Sequence, residues 1–247
     1  MENMESNYQK SYQTSYQKLS SDKPMELSEA FPILMRKVYV WMTLALAITG
    51  MTAYYVATNE TLMMTILTNS VLFYGLLIAE VGLVLVVSAA IDRLSLLTAT
   101  LLFILYSVIN GATMSVIFLA YTASSIATVF FITAGTFGTM AAIGYTTKTD
   151  LSSMGRILFM ALIGLIIATV VNLFLRNDAL MMILSYVGVI IFIGLTAWDS
   201  QKIKLMLMQA PDAGETAQKM ALLGALTLYL DFVNLFIYLL RIFGRRR

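Results

Sequence analysis

The sequence predicts an all-α integral membrane protein with seven transmembrane helices. Three observations predict it. Of 247 residues, 59% are hydrophobic and 12% charged, where a soluble domain carries about 25% charged residues. The mean hydropathy is +0.81. Seven apolar runs recur along the chain, each close to the roughly 20 residues that cross a bilayer core.

Residues 1–37 come first, a polar segment opening on the short repeat "NYQK", "SYQT", "SYQK". It has too little apolar surface to fold alone and is expected to be a disordered tail. It is no secretory signal, because the first apolar run begins too late and no cleavage pattern follows. The transmembrane domain then occupies 38–247. Its spans are expected near 38–58, 71–91, 96–120, 124–145, 156–175, 180–203 and 219–243. Glycines and β-branched residues inside these runs do not argue for strands, since both are common in transmembrane helices. Connections are short except the last, where "KIKLMLMQAPDAGETAQK" reads as an amphipathic, partly helical link with a Pro-Asp-Ala-Gly turn.

Lys and Arg mark one face of the membrane. Arg36, Lys37, Arg93, Lys148, Arg156, Lys202, Lys204 and Lys219 fall there, against Arg176 in the loops of the other face. That asymmetry predicts a cytoplasmic N-terminus. Seven full crossings then carry the terminal "GRRR" to the opposite side.

The chain has no Cys and no His. This excludes thiol nucleophiles, Ser-His-Asp triads, His- or Cys-ligated haem and the usual zinc sites. What remains suits protons and hard cations such as calcium. No cofactor, no nucleic-acid partner and no enzymatic activity are expected; the partners are the lipid bilayer, protons and a cation.

Against that background the intramembrane acids stand out. "LYLDFVNLFIYLLRIF" puts Asp231 in the seventh span, where an Asp at the bilayer centre costs about 2.5–3.5 kcal/mol. Gly224, Thr227, Asp231, Asn234, Tyr238 and Arg241 recur at spacings of three and four, hence on one face. Small and polar residues of this kind also form packing seams, which suffices for Gly224, Thr227 and Asn234. For Asp231 it does not, since Asn would pack as well without a charge. Asp199, in "LTAWDSQKIK", lies at the charged end of the sixth span. It faces Asp231 if that helix runs on through Lys202. Glu80, mid-span in "LLIAEVGLV", is either a protonated packing residue or part of a polar path. Asn110 and Asn172 read as interhelical hydrogen-bond glue, and Ala134, Gly138 and Ala142 as a small-residue contact stripe.

"AGTFGTMAAIGYTTKTDLSSMGRILFMALIGLIIATVVNLFL", "TAWDSQKIK" and "LTLYLDFVNLFIYLLRIFG" resemble bacterial proteins of the Bax inhibitor, or transmembrane Bax-inhibitor-motif, family. The likeness covers about residues 30 to 244. It implies seven helices with the last at the centre of two three-helix layers, in the inner (cytoplasmic) membrane. It implies a pH-sensitive calcium leak in which Asp199 and Asp231 form the sensing pair and a transient calcium site. Thr227, Asn234, Tyr238 and Glu80 are then candidates for the pathway. Some bacterial relatives modulate a membrane protease, so a non-transporting regulator is the alternative. In the best-described bacterial form of the family an Arg of the second helix closes the pore on the sixth-helix aspartate. Here the interior of that helix has none, Ala90 stands near the expected place, and Arg93 is the nearest substitute gate. An intramembrane aspartyl protease also needs two facing acids, but the Gly-x-Gly-Asp context of such enzymes is missing.

Overall fold

In the computed structural model, the described residues are 30–210 and 212–246. The helices are α1 (Ala30–Thr58), α2 (Glu60–Thr68), α3 (Ser70–Ala90), α4 (Leu96–Met114), α5 (Ile117–Ala120), α6 (Ala123–Thr146), α7 (Ser152–Leu175), α8 (Asp178–Met208) and α9 (Glu215–Phe243). All seven expected spans are present as helices long and apolar enough to cross a membrane, α4 and α5 together making the third. The tail expected over 1–37 lies outside the described residues up to 29. Residues 30–37 belong to α1, with Leu34 and Met35 buried, because apolar residues there have a core to join.

The link between the sixth and seventh spans is shorter than expected. α8 continues to Met208 and α9 begins at Glu215, so Lys202, Lys204 and Lys219 all sit on helix. Side chains cap several helix starts: Ser95 accepts from the Thr98 N–H at 3.1 Å and Asn177 from Leu180 at 3.0 Å. Each satisfies an amide that the helix cannot pair itself. Asn59 and Asn69 do the same for α2 and α3.

The helices form two layers around α9. One is α1, α3 and α4, the other α6, α7 and α8, and α9 packs on α1, α4, α6 and α8. It is the most enclosed helix, with 67% of its apolar window buried against 39% or less elsewhere. It also runs the full depth of the bundle. Near its start Lys37 donates to Gln218 at 2.9 Å. Past its end the Arg245 N–H donates to Ser125 Oγ at 2.9 Å, beside the connection into α6. The start of α1 and the C-terminus therefore lie on opposite faces, as seven full crossings require.

Two close approaches fix the layers. A Cβ on Gly144 of α6 would stand 2.0 Å from the Ala197 carbonyl oxygen of α8, and one on Gly111 of α4 would stand 2.6 Å from the Thr49 carbonyl oxygen of α1. Backbones meet at both places, so only glycine fits. The contact stripe of α6 is thus Thr133, Phe137, Ala141 and Gly144. The stripe expected at Ala134, Gly138 and Ala142 is instead largely open, and a Cβ on Gly138 meets nothing within 4 Å. Small residues suit both a close contact and a gap, so their spacing alone does not separate the two. Asn172 also departs from its reading as glue between helices. Its Oδ1 accepts from the Asn177 N–H at 3.2 Å and closes the end of α7, where Arg176 takes a left-handed φ of 50°.

Gly144→Ala should destabilise the detergent-solubilised protein by about 1–3 kcal/mol, the usual cost of overpacking. Gly135→Ala, whose Cβ meets nothing within 4 Å, should be neutral or slightly stabilising. Equal thermal midpoints for the two variants would show that α6 and α8 can part freely.

Candidate functional site

Because α8 is continuous past Lys202, it carries Asp199 inward alongside α9. The two helices make the most extensive contact in the bundle. Gly224 of α9 lets Ile203 of α8 close in on one side of the acids, with a Cβ there meeting Ile203 at 3.0 Å. On the other side the Tyr238 ring stacks on Phe192 at 5.8 Å and lies over Gly188. Between these contacts the carboxyls of Asp199 and Asp231 face each other at hydrogen-bonding range. Asp199 is 7% exposed and Asp231 5%.

Asp231 Oδ2 is buried with no hydrogen-bond partner. Two ionised carboxylates have no donor to offer each other. The contact therefore becomes a hydrogen bond only when one acid carries a proton, and the pair titrates as a unit. The cation whose charge bears on Asp199 is Lys202, three residues on. Its ammonium lies over the Trp198 ring at 5.0 Å.

The expected Arg93–Asp199 ion pair is not formed. Arg93 is exposed in the turn after α3, where its N–H donates to the Ala90 carbonyl, and the ion pair among the described residues is Lys219–Glu215. The helix ends before Arg93, so its side chain starts outside the bundle. Thr227 and Asn234 bond carbonyls of their own helix, Leu223 and Leu230, at 3.1 and 2.8 Å. Arg241 lies over the Tyr238 ring at 5.5 Å. Of the polar face read from the sequence, Asp231 is thus the member that meets an acid of another helix. Among the described residues no cluster of three or more carboxylates occurs. Calcium takes six to eight oxygen ligands, so Asp199 and Asp231 alone suit an ion in passage, with water supplying other ligands.

The residues after Asp199 hold it in place. Ser200 Oγ donates to the Ala141 carbonyl of α6 at 2.8 Å. Gln201 spans the α6–α7 connection, donating to the Thr149 carbonyl at 2.8 Å and accepting from the Leu151 N–H at 2.9 Å. Lys204 donates to the Tyr145 carbonyl at 2.7 Å. "DSQKIK" thus bolts α8 to α6, and Ser200 has the hydroxyl its bond needs. In the same connection, hydrogen bonds from the Ser152 side chain and N–H hold the Asp150 carboxyl below the usual carboxylate range.

A second polar group was read only in part from the sequence. Glu80 of α3 accepts from Thr113 Oγ1 at 2.5 Å and from Asn110 Nδ2 at 3.2 Å, both on α4. Asn110 Oδ1 accepts from the Tyr229 hydroxyl at 2.9 Å, which lies 2.7 Å from Thr49 Oγ1 of α1. Thr49 Oγ1 is also 3.0 Å from the Ser107 carbonyl. Two hydroxyl hydrogens serve three contacts, so one contact lacks a hydrogen in either arrangement. Tyr229 is fully enclosed. At two residues from Asp231 it points to roughly the opposite side of α9, about 200° around the helix. Thr49, Ser107, Thr113 and Tyr229 carried no sequence signal beyond being polar within apolar runs.

The sequence family described as inhibitor of apoptosis-promoting Bax1 matches residues 32–247. The inner membrane protein YbhL of Escherichia coli K12 is 50% identical over 229 residues, covering 92% of this chain and 97% of that protein. An uncharacterized protein of Borreliella burgdorferi is 46% identical over 213 residues, 86% of this chain and 92% of its own. The uncharacterized protein RP147 of Rickettsia prowazekii is 41% identical over 230 residues, 92% and 96%.

Gln201→Leu keeps the bulk of the side chain and removes both loop bonds. Amide exchange at Leu151 should then speed up by about tenfold, one lost hydrogen bond's worth, while amides around Tyr229 stay protected. Unchanged exchange at Leu151 would mean that the loop holds itself.

Proposed function

The chain belongs to the Bax inhibitor family, and from that premise we propose that it is a pH-sensitive leak pathway for a cation, calcium first among candidates, gated by protonation of the Asp199–Asp231 pair. It acts without covalent chemistry. The observation that carries this reading is the pairing itself: two buried carboxyls face each other across α8 and α9, with no donor on Asp231 Oδ2. With one proton between them, the acids bond and draw the helices together. With none, two like charges meet in a low-dielectric interior and must separate, hydrate or take up a cation. Either way the charge of the pair biases the α8–α9 contact, giving a bistable element with the proton as effector.

Apolar packing between Ile203 and Gly224 on one side, and Phe192 and Tyr238 on the other, closes the path in this reading. Arg93 has no part in it. The face bearing Lys202, Lys204, Lys219 and Arg93 is assigned to the cytoplasm, which places the start of α1 there too. The name of the Escherichia coli relative supports an inner-membrane location. A second reading, a regulator that docks on a partner such as a membrane protease, draws on α3. That span is the least enclosed, with 6% of its apolar window buried.

Calcium flux into liposomes holding the purified protein, measured across a pH series, tests the proposal. Asp231→Asn keeps the shape and removes one titrating group, so its flux should lose most of its pH dependence while the protein inserts at least as well. A full wild-type pH response in this variant would rule the carboxylate out as the sensor. No flux from the wild type at any pH would favour the docking reading. In the same assay Arg93→Ala should match the wild type, and a raised leak at neutral pH would restore Arg93 as a lock.

A further inference from the structure

α1 and α6 both pack on α9, but their backbones rarely come close to each other, and Phe31 stacks on Tyr145 between them at 6.2 Å. Between them runs an apolar seam of about 990 Å³ whose floor is Phe232, the residue after Asp231. This is the upper end of the roughly 300–1,000 Å³ of ligand pockets. Its α6 wall is Ala134, Gly138 and Ala142 with the edge of the buried Ala141, and a Cβ on Gly138 would meet nothing within 4 Å. On α1 it runs from Pro32 to Leu46. Fourteen residues of helix rise about 21 Å, which is half of the roughly 40–45 Å of a bilayer with its headgroup regions. Leu46, Phe130 and Phe232 close its deep end, beyond which lies a separate void of about 100 Å³. The open end is polar. Arg36 is exposed there, with Tyr39 and Tyr145 beside it.

We infer that this seam is a binding site for one anionic phospholipid, with an acyl chain along α6 down to Phe232 and the headgroup phosphate on Arg36. The depth of one leaflet, an apolar lining and Arg36 as the cation of that lining match this ligand part by part; Lys204, near the same end over the Tyr145 ring at 5.2 Å, donates instead to the Tyr145 carbonyl. A transmembrane helix, about 10 Å across and spanning both leaflets, does not fit a seam that stops halfway. Guanidinium recognises phosphate by paired hydrogen bonds, and two tyrosines at the same level suit the membrane interface. The site stands whether or not the acid pair conducts.

Native mass spectrometry of the full-length protein, titrated with phosphatidylglycerol and phosphatidylcholine of identical chains, tests it. The wild type should hold one phosphatidylglycerol through delipidation. Gly138→Leu places a side chain in the open seam, where its Cβ meets nothing within 4 Å, and should lower retention of both lipids by roughly tenfold. Arg36→Gln should remove most of the preference for phosphatidylglycerol, again roughly tenfold for one charge-assisted contact. Gly164→Leu on the outer face of α7, where a Cβ also meets nothing within 4 Å, should retain lipid like the wild type. Equal retention in Gly138→Leu and the wild type would reduce the seam to ordinary annular lipid. An unchanged preference in Arg36→Gln would overturn the headgroup assignment. A dimer that Gly138→Leu abolishes would give the seam to a second copy instead.

Discussion

In hydrocarbon, a polar atom must find its partner inside the protein or go without. That constraint orders this fold. Asp231 stands on α9, the helix wrapped on all sides, where Leu222, Leu228, Tyr229 and Leu235 are almost wholly enclosed, while Glu80, mid-span on the least enclosed helix, is tied to Asn110 and Thr113 of α4. Placing Asp231 against lipid would cost a few kcal/mol with no relief. Placing it at the bundle centre brings Asp199 within reach and lets water or an ion be the third party. The glycines follow from the same demand, since Gly224 brings α8 close beside the acids and Gly144 keeps α6 against the outer side of α8.

The two sides of α9 solve the problem differently. On the α1–α4 side, Tyr229 meets neutral oxygens of Thr49 and Asn110, and Glu80 is tied in through Asn110 and Thr113. That side has hydroxyl and amide donors that anchor the layer. On the α8 side the partners are two carboxyls, acceptors by nature, and the contact is cohesive only with an added proton. In the proposed mechanism one side stays fixed while the other responds, which is the division of labour a hinge between layers requires.

Much of this was legible in the sequence because the bilayer is a demanding solvent. Length and hydropathy sufficed for seven spans, and helical spacing placed Asp231 on the face that meets α8. Two kinds of feature were not legible. Helix ends are one: nothing local marks where α8 stops, because "KIKLMLM" is equally good helix and linker, so the extension to Met208 depends on Lys204 and Gln201 finding carbonyls on α6 and its loop. Pairings across helices are the other. Ala134, Gly138 and Ala142 carry a contact signature yet line a gap, and Arg93 is close to Asp199 in the expected order of loops yet does not reach it. Both depend on which helices are neighbours, which a one-dimensional pattern does not hold.

The helix also supplies its own comparison for the question of why an acid stands at 231. Thr227 and Asn234, four before and three after, are polar residues in the same hydrocarbon stretch. Each satisfies itself on a carbonyl of α9 and needs no other helix. This is how the chain treats a side chain whose task is to be tolerated or to pack. Asp231 is treated otherwise: one of its oxygens is buried without a partner, and its neighbour across the interface is another acid. An Asn there would supply an N–H to Asp199 and lose the need for a shared proton. A packing role thus predicts the amide, and the unsatisfied acid is what the proposed proton gating requires.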